Sequence, residues 1–458
     1  MTAGFQSDFL WGAATSAYQI EGAPDADGRG PSIWDVFARI PGKTDNGDTG
    51  CVACDHYHRY AEDVELMKAL NLDAYRFSIS WPRIMPTGRG AINERGLDFY
   101  DRLVDRLNDA GIEPFATLYH WDLPVALQFE LGGWIHDDLP KLFADYAAAV
   151  YDRLGDRVRY WLTINEPWCV TDGGYMCGVH APGVQDETLA YRVAHNVIRA
   201  HGHAVGAYRA SRYGNGEISF ALNLNYVYPA TDSAADCAAV QRALESAGGW
   251  YTDPLVHGDY PAVMRERLGD LLPRFSAEDQ SLLRNSMDYI ALNYYNSDTV
   301  RHQDGAGRFD LVRAPDPQYA VTEMGWPVVP AGLTAILQWL NDRYPGHKFY
   351  ITENGAAFDD KPDAAGFVYD PRRVSFLREH IAAVRKAMAA GVDIRGYFAW
   401  SLMDNFEWSL GYSKRFGIVR CDYETQQRTI KASGRWYARF IETGDLDAEP
   451  LEQEEVSP

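Results

Sequence analysis

Phe349-Tyr350-Ile351-Thr352-Glu353-Asn354-Gly355 is a short aromatic and β-branched run that ends in a carboxylate and a turn signal. A run of this length and composition reads as a buried strand, and Asn354-Gly355 marks where it stops. The same plan recurs along the chain. Residues 9–15, 74–79, 114–118, 160–164, 218–222, 289–293, 349–352 and 394–399 all read as short strands. Longer helical stretches lie between them, among them residues 56–70, 94–110, 139–154, 189–212, 332–343 and 372–390. Strands alternating with helices predict a parallel sheet, and eight of them predict a closed (β/α)₈ TIM barrel of the α/β class. Its active site belongs at the C-terminal ends of the strands. An open doubly wound sheet is the alternative, weakened because no G-x-G-x-x-G follows any strand.

The 458 residues suit one such barrel with long loops. Residues 1–443 are expected to form a single catalytic domain. Residues 444–458, acidic and carrying Pro450 and Pro458, are expected to form a loose tail. Apolar residues make up 46% of the chain, as in a soluble globular protein. Lys and Arg number 43 against 64 Asp and Glu, a formal net charge of −21. That field repels phosphate backbones and anionic lipid, so nucleic acid and membrane partners are not expected. The N-terminus lacks a basic region, and no run reaches the roughly 18–20 apolar residues of a spanning helix. A cytoplasmic location is expected. The six cysteines show no disulfide framework. Cys51-x-x-Cys54 followed by His56 and His58 resembles a metal site superficially but has no second cysteine pair. No metal and no other cofactor is expected.

The strand ends carry the informative residues. Tyr119-His120-Trp121-Asp122, Asn165-Glu166-Pro167-Trp168, Asn293-Tyr294-Tyr295, Thr352-Glu353 and Trp400-Ser401 each follow a strand, with Glu407-Trp408 soon after the last. The first strand leads into Tyr18-Gln19-Ile20-Glu21. Hydrolysing an acetal takes two carboxyl groups, one to protonate the leaving oxygen and one to attack or stabilise the sugar cation. Glu166 and Glu353 are placed for that, one per strand end. Pro167 disfavours helical geometry at Glu166 and keeps that carboxyl at the strand tip. With 64 acidic residues, a strand-end Glu alone proves little. Taken singly, a Trp fits core packing, His120 a satisfied core histidine and Gln19 a helix or turn cap. Together they form the mixture a sugar demands, with amides, imidazole and carboxylate for its hydroxyl edge and rings for its C–H face.

At these residues the chain resembles glycoside hydrolase family 1, the β-glucosidases and their relatives. Phe9-Leu10-Trp11-Gly12-Ala13-Ala14-Thr15-Ser16-Ala17-Tyr18-Gln19-Ile20-Glu21-Gly22 resembles the family's N-terminal signature, Thr163-Ile164-Asn165-Glu166-Pro167 its acid/base motif, and residues 349–355 its nucleophile signature. Asp55-His56-Tyr57-His58-Arg59-Tyr60, Tyr75-Arg76-Phe77-Ser78-Ile79-Ser80-Trp81-Pro82-Arg83 and Val179-His180-Ala181-Pro182-Gly183 also match family patterns. The resemblance implies a retaining, exo-acting β-glucosidase working by double displacement, with Glu353 as nucleophile and Glu166 as acid/base. Arg76 would support the nucleophile. The terminal-sugar pocket would comprise Gln19, His120, Trp121, Asn165, Asn293, Tyr295, Trp400, Glu407, Trp408 and Phe416. Trp168, Cys169, Asn223 and Trp326 would line the aglycone side. The expected partner is a small glycoside, and the expected assembly a monomer or small homo-oligomer.

Two departures known within the family bear on this chain. Myrosinase-type members carry Gln in place of the acid/base Glu, whereas Glu166 is present here. Phospho-glycosidases lose the acid that holds the sugar's distal hydroxyls, whereas Glu407 is kept in Asn405-Phe406-Glu407-Trp408. A catalytically silent sugar-binding barrel would need a lost carboxylate. An aspartic protease would need two motifs like Asp48-Thr49-Gly50, and one is present. A serine hydrolase would show G-x-S-x-G after a strand. Galactosides and fucosides remain open beside glucosides, because Gln19 and Glu407 suit O4 in either epimer.

Overall fold

The computed structural model describes residues 4–315 and 318–450. Eight parallel strands close into a barrel. They are β1 Leu10–Ala14, β2 Ala74–Ser78, β3 Glu113–Tyr119, β4 Tyr160–Asn165, β5 Glu217–Asn223, β6 Tyr289–Asn293, β7 Lys348–Asn354 and β8 Ile394–Trp400. Each pairs with its neighbours in sequence, and β1 closes the ring on β8, from Leu10 beside Gly396 to Ala14 beside Trp400. All eight expected strands are present. β3, β4, β5, β7 and β8 run one or two residues further at their C-terminal ends than their apolar runs alone suggest, carrying Tyr119, Asn165, Asn223, Glu353, Asn354 and Trp400 within the ladder. The pairing is irregular at two of those tips. Register slips between Leu162 and Asn165 in β4 and between Ile351 and Glu353 in β7. Such irregularities re-aim side chains where a strand meets a site.

The helices start where capping chemistry places them. Glu187–Ala210 begins two residues before the expected 189, because the Asp186 carboxylate accepts the Leu189 N–H at 3.0 Å. Pro330–Arg343 and Pro371–Ala389 begin at prolines, whose fixed φ suits the first helical turn.

Aromatic rings fill the barrel interior beneath the strand tips. Phe115 stacks on Tyr160 with centroids 4.2 Å apart, and Phe398 and Tyr350 meet them edge-on. Gly12 makes room for this layer, since a Cβ there would lie 2.5 Å from the Phe398 ring. The interior is thus a packed floor, and the site stands above it. Two small sheets that the alternation does not foresee sit in the loops. Tyr226–Pro229, Ser297–His302 and Leu311–Ala314 form one, and Val419–Cys421 with Arg428–Ile430 the other.

The last helix, Ala432–Thr443, ends at Gly444 in the left-handed conformation, φ 71°. Residues 451–458 of the expected tail lie outside the described residues. Among the described residues no helix is long and apolar enough to cross a membrane. Cys51, Cys54, His56 and His58 have separate partners. His56 Nδ1 lies 2.7 Å from Asp63, His58 Nδ1 lies 2.6 Å from Asp55, the Cys54 thiol donates to the Asp404 carbonyl, and Cys51 Sγ accepts from Arg39.

Candidate active site

β7 delivers Glu353 to the centre of the barrel mouth, where it is buried. Arg76, from the middle of β2, reaches across the barrel. Its Nη1 lies 2.5 Å from Glu353 Oε1 and donates to the Thr352 carbonyl at 3.1 Å. Its Nη2 donates to Asn165 Oδ1 at 2.5 Å, and its Nε to Thr117 Oγ1 at 3.2 Å. The Tyr295 hydroxyl, just past β6, donates to the other Glu353 oxygen at 2.5 Å. Both oxygens of Glu353 therefore have fixed donors.

Glu166 sits just past β4 with φ 46°, a left-handed conformation uncommon for a glutamate. Pro167 removes the ordinary helical alternative. Glu166 Oε1 accepts from Asn293 Nδ2 at 2.8 Å, and Oε2 accepts from the Cys169 thiol at 3.2 Å. Asn293 also donates to Asn165 at 3.0 Å and accepts from the Thr352 hydroxyl at 2.7 Å, tying the tips of β4, β6 and β7 together. Trp121 and Trp408 share the left-handed backbone, with φ 77° and 52°. Such positions cost on the order of 1–3 kcal/mol each and persist where surrounding structure over-determines them, often at functional sites.

The two carboxyls differ electrostatically. Burial first, then the charge of Glu353, pushes Glu166 up to about 8. The depth of the site makes burial the larger cause, and the Glu353 charge adds to it. Burial also raises Glu353, but the Arg76 guanidinium and the Tyr295 hydroxyl pull it back. Glu407 is pushed to about 8 by burial and then by Glu353 and Glu166. His120 is held well below its ordinary value by burial and by Arg76, so its ring is neutral. Asn165 Nδ2 lies 3.1 Å from His120 Nε2. An amide NH₂ can only donate there, which assigns the ring hydrogen to Nδ1, an atom with no hydrogen-bond partner among the described residues.

These groups open on a cavity of about 500 Å³. Glu166, Glu353, His120, Trp121, Asn293, Tyr295, Trp400, Glu407, Trp408 and Phe416 line it, with Trp168, Cys169, Asn223 and Trp326 on the outer side. Gln19, Asn165 and Arg76 stand behind that wall. Gln19 Nε2 lies 3.0 Å from Asn405 Oδ1, 2.9 Å from the Phe406 carbonyl and 3.4 Å from Glu407 Oε2. The rings form one wall, with His120 nearly parallel to Trp400 and Trp408, and Trp121 4.5 Å from Trp408. The sequence reading misses the rim. Asp298 and Arg313 line the cavity from the three-stranded sheet, where no motif or strand end marks them, and Asn225 and Asn296 line it from two and three residues beyond the tips of β5 and β6. It also misses that the Cys169 thiol bonds to Glu166, although its i, i+3 spacing past a strand tip offers that contact.

The profile of glycosyl hydrolase family 1 matches residues 1–446. The chain is 46% identical to beta-glucosidase A of Thermotoga maritima, across 97% of this chain and 99% of that one. It is 44% identical to a beta-glucosidase of an Agrobacterium species, across 96% and 95%. The solved family 1 β-glucosidase of Thermotoga maritima matches with a TM-score of 0.92 at 45% identity, over 98% of this chain and 99% of that one. The same Thermotoga enzyme has been solved in complex with castanospermine, again at a TM-score of 0.92. A closed parallel barrel with paired carboxyls in a ring-walled cavity, matched end to end by such relatives, is a glycoside hydrolase. The chain belongs to glycosyl hydrolase family 1.

Proposed function

We propose that this protein is a retaining, exo-acting β-glucosidase that removes terminal β-D-glucosyl residues from cello-oligosaccharides or from aryl and alkyl β-glucosides. The unequal surroundings of the two carboxyls carry the reading. Glu353, held by a cation and a phenol, is suited to be the nucleophile. Glu166, buried beside that charge, keeps a proton at neutral pH and is suited to give it away. In the first step Glu353 attacks the anomeric carbon while Glu166 protonates the departing glycosidic oxygen, forming a covalent glycosyl ester. Esterification removes the charge on Glu353. The affinity of Glu166 for a proton then falls, and it takes a proton from the water that cleaves the ester.

Around the sugar, the free Nδ1–H of His120, the amides of Gln19, Asn165 and Asn293 and the carboxyl of Glu407 serve the hydroxyls. Trp121, Trp400 and Trp408 serve the apolar face. Phe416 closes the pocket beside Tyr295, 6.1 Å between ring centroids. Trp168, 40% exposed, and Trp326 serve the leaving group. Relatives named beta-glucosidase at 44–46% identity support the glucoside assignment. A 6-phosphate is disfavoured for want of a free cation to hold it. Arg313 is the one Lys or Arg among the described lining residues, and it is already paired with Asp298 at 3.2 Å. A silent sugar-binding barrel is disfavoured because both carboxyls are present with their supports. The catalytic unit is residues 1–443, working without cofactor in the cytoplasm as a monomer or small homo-oligomer, with cellulose breakdown as its setting.

The test is hydrolysis of 4-nitrophenyl β-D-glucoside beside the β-galactoside, β-fucoside and 6-phospho-β-glucoside, with the first-formed anomer followed by NMR. The glucoside is expected to turn over best, releasing β-glucose first. Release of the α-anomer first would remove the covalent intermediate. Failure on all four substrates would favour the silent barrel.

A further inference from the structure

The loop after β8, residues 401–417, carries Glu407, Trp408 and Phe416, and little regular structure holds it. Much of it is nevertheless buried. Backbone bonds pin its two ends: Ile418 N–H to the Ser401 carbonyl at 2.9 Å, and Asp404 N–H to the Val419 carbonyl at 3.0 Å. At its centre is the Asp404 carboxylate, with no exposure. It accepts from Lys431 Nζ at 2.7 Å, from Arg415 Nη1 at 2.7 Å and from the Gly417 N–H at 3.0 Å. Gly417 approaches so closely that a Cβ there would lie 2.1 Å from the Asp404 nitrogen. The next residue, Asn405, takes the Gln19 amide on its Oδ1.

The cluster extends to the loop after β7. Lys431, also fully buried, bonds Asp360 Oδ2 at 2.6 Å. Arg373 pairs with Asp360 at 2.7 Å and with Asp370, and donates to the Arg415 carbonyl at 2.7 Å and the Ala356 carbonyl at 3.3 Å. Lys431, Arg373 and Arg415 thus balance Asp360, Asp370 and Asp404 in a buried network. Burial alone would raise Asp404, but Lys431 and Arg415 hold it below the usual carboxylate range. None of the six lines the cavity. Replacing such a network with apolar residues is often no worse for stability, so stability is a weak reason for its presence. Its location gives a better one, since it joins the loops that follow the Glu353 strand and the Trp400 strand.

We propose that Asp404 and Lys431 are positioning residues that fix the Glu407 loop and thereby set discrimination at the sugar's distal hydroxyls. The inference rests on the β-glucosidase reading, in which Glu407 holds O4 and O6. A β-xyloside lacks the C6 hydroxymethyl group, so it should feel a displaced Glu407 less than a glucoside does.

The experiment compares wild type, Asp404→Asn and the double variant Asp404→Asn/Lys431→Met on 4-nitrophenyl β-D-glucoside and β-D-xyloside, with melting temperatures alongside. Asp404→Asn should lower the glucoside-to-xyloside ratio of kcat/KM about 10-fold, since a misplacement near 1 Å can cost up to about 100-fold. The double variant restores charge balance, so its melting temperature should recover while the ratio stays low. Equal losses on both substrates, or a ratio that recovers with the melting temperature, would overturn the positioning role. If wild type turns over neither substrate, the functional reading fails by itself. A crystal structure of Asp404→Asn then decides the positioning: a Glu407 carboxyl shifted by about 1 Å supports it, and an unmoved one overturns it.

Discussion

The inner wall of the cavity and its rim are built on opposite terms. Inside, Arg76 and Glu353 are 1% and 3% exposed at the side chain, and almost every polar atom has an assigned partner. At the rim, the Arg313 side chain is 78% exposed and leans on Asp298 at 3.2 Å, while Trp168 is 40% exposed. The inner groups come from strand tips that share a rigid ladder, and the rim groups from loops and a small sheet outside it. The contrast suggests a division of labour. Bond cleavage needs donors and acceptors fixed before substrate arrives, whereas recognising a variable leaving group tolerates mobility and solvent.

If that division is right, losses should shrink from floor to rim. Glu353→Ala should cost about 10⁴-fold or more in kcat, since removing the nucleophile of a serine protease costs about 10⁶-fold. A loss of about 10-fold would break the assignment. Glu166→Gln should cost about 10²–10⁴-fold on substrates with poor leaving groups and much less on activated aryl glucosides. Its proton must be present for the first step, so wild-type kcat/KM should fall as pH rises through about 8. In Glu166→Gln the part of that limb due to Glu166 should vanish, and what persists would belong to Glu407, which burial pushes to the same range.

Stability should move the other way. An unfolded glutamate loses its proton near pH 4.3, whereas folded Glu166 keeps it to about 8. Between those values the native state binds the extra proton, so stability falls as pH rises. Glu166→Gln, neutral throughout, should raise the melting temperature, and by more at pH 8 than at pH 5. An equal gain at both would mean that Glu166 is ionised in the folded enzyme.

How much of this is legible in the sequence follows the same boundary. Phe349-Tyr350-Ile351-Thr352-Glu353 states both its strand and its acid, because the residue that ends an apolar run in a barrel lies at the mouth. Asn165, Asn293 and Trp400 are found by the same rule. The order of causes behind the Glu166 shift is not legible, since depth of burial depends on every loop folded over it. Nor is the Asp404–Lys431 contact, which joins an irregular loop to the start of the last helix where no motif or strand end marks either residue. Asp298 and Arg313 stay hidden because Ser297–His302 and Leu311–Ala314 are short, partly exposed strands in a mostly polar stretch.

The rim supplies the smallest and sharpest test. Arg313→Ala removes a largely exposed guanidinium and one partner of a partly exposed pair, and such pairs contribute at most about 1 kcal/mol. On 4-nitrophenyl β-D-glucoside, whose leaving group is one small ring, kcat/KM should stay within about 2-fold of wild type. Cellotriose and cellotetraose extend further from Glu166 and bring hydroxyls to the place where Arg313 and Asp298 stand. Their KM should rise by about 2–5-fold, near the lower range of a lost hydrogen bond, while kcat holds. A change confined to KM for the longer chains would place leaving-group recognition at the rim. An equal loss on the aryl glucoside would mean that Arg313 supports the inner wall, and the boundary between rigid floor and tolerant rim would have to be drawn further out.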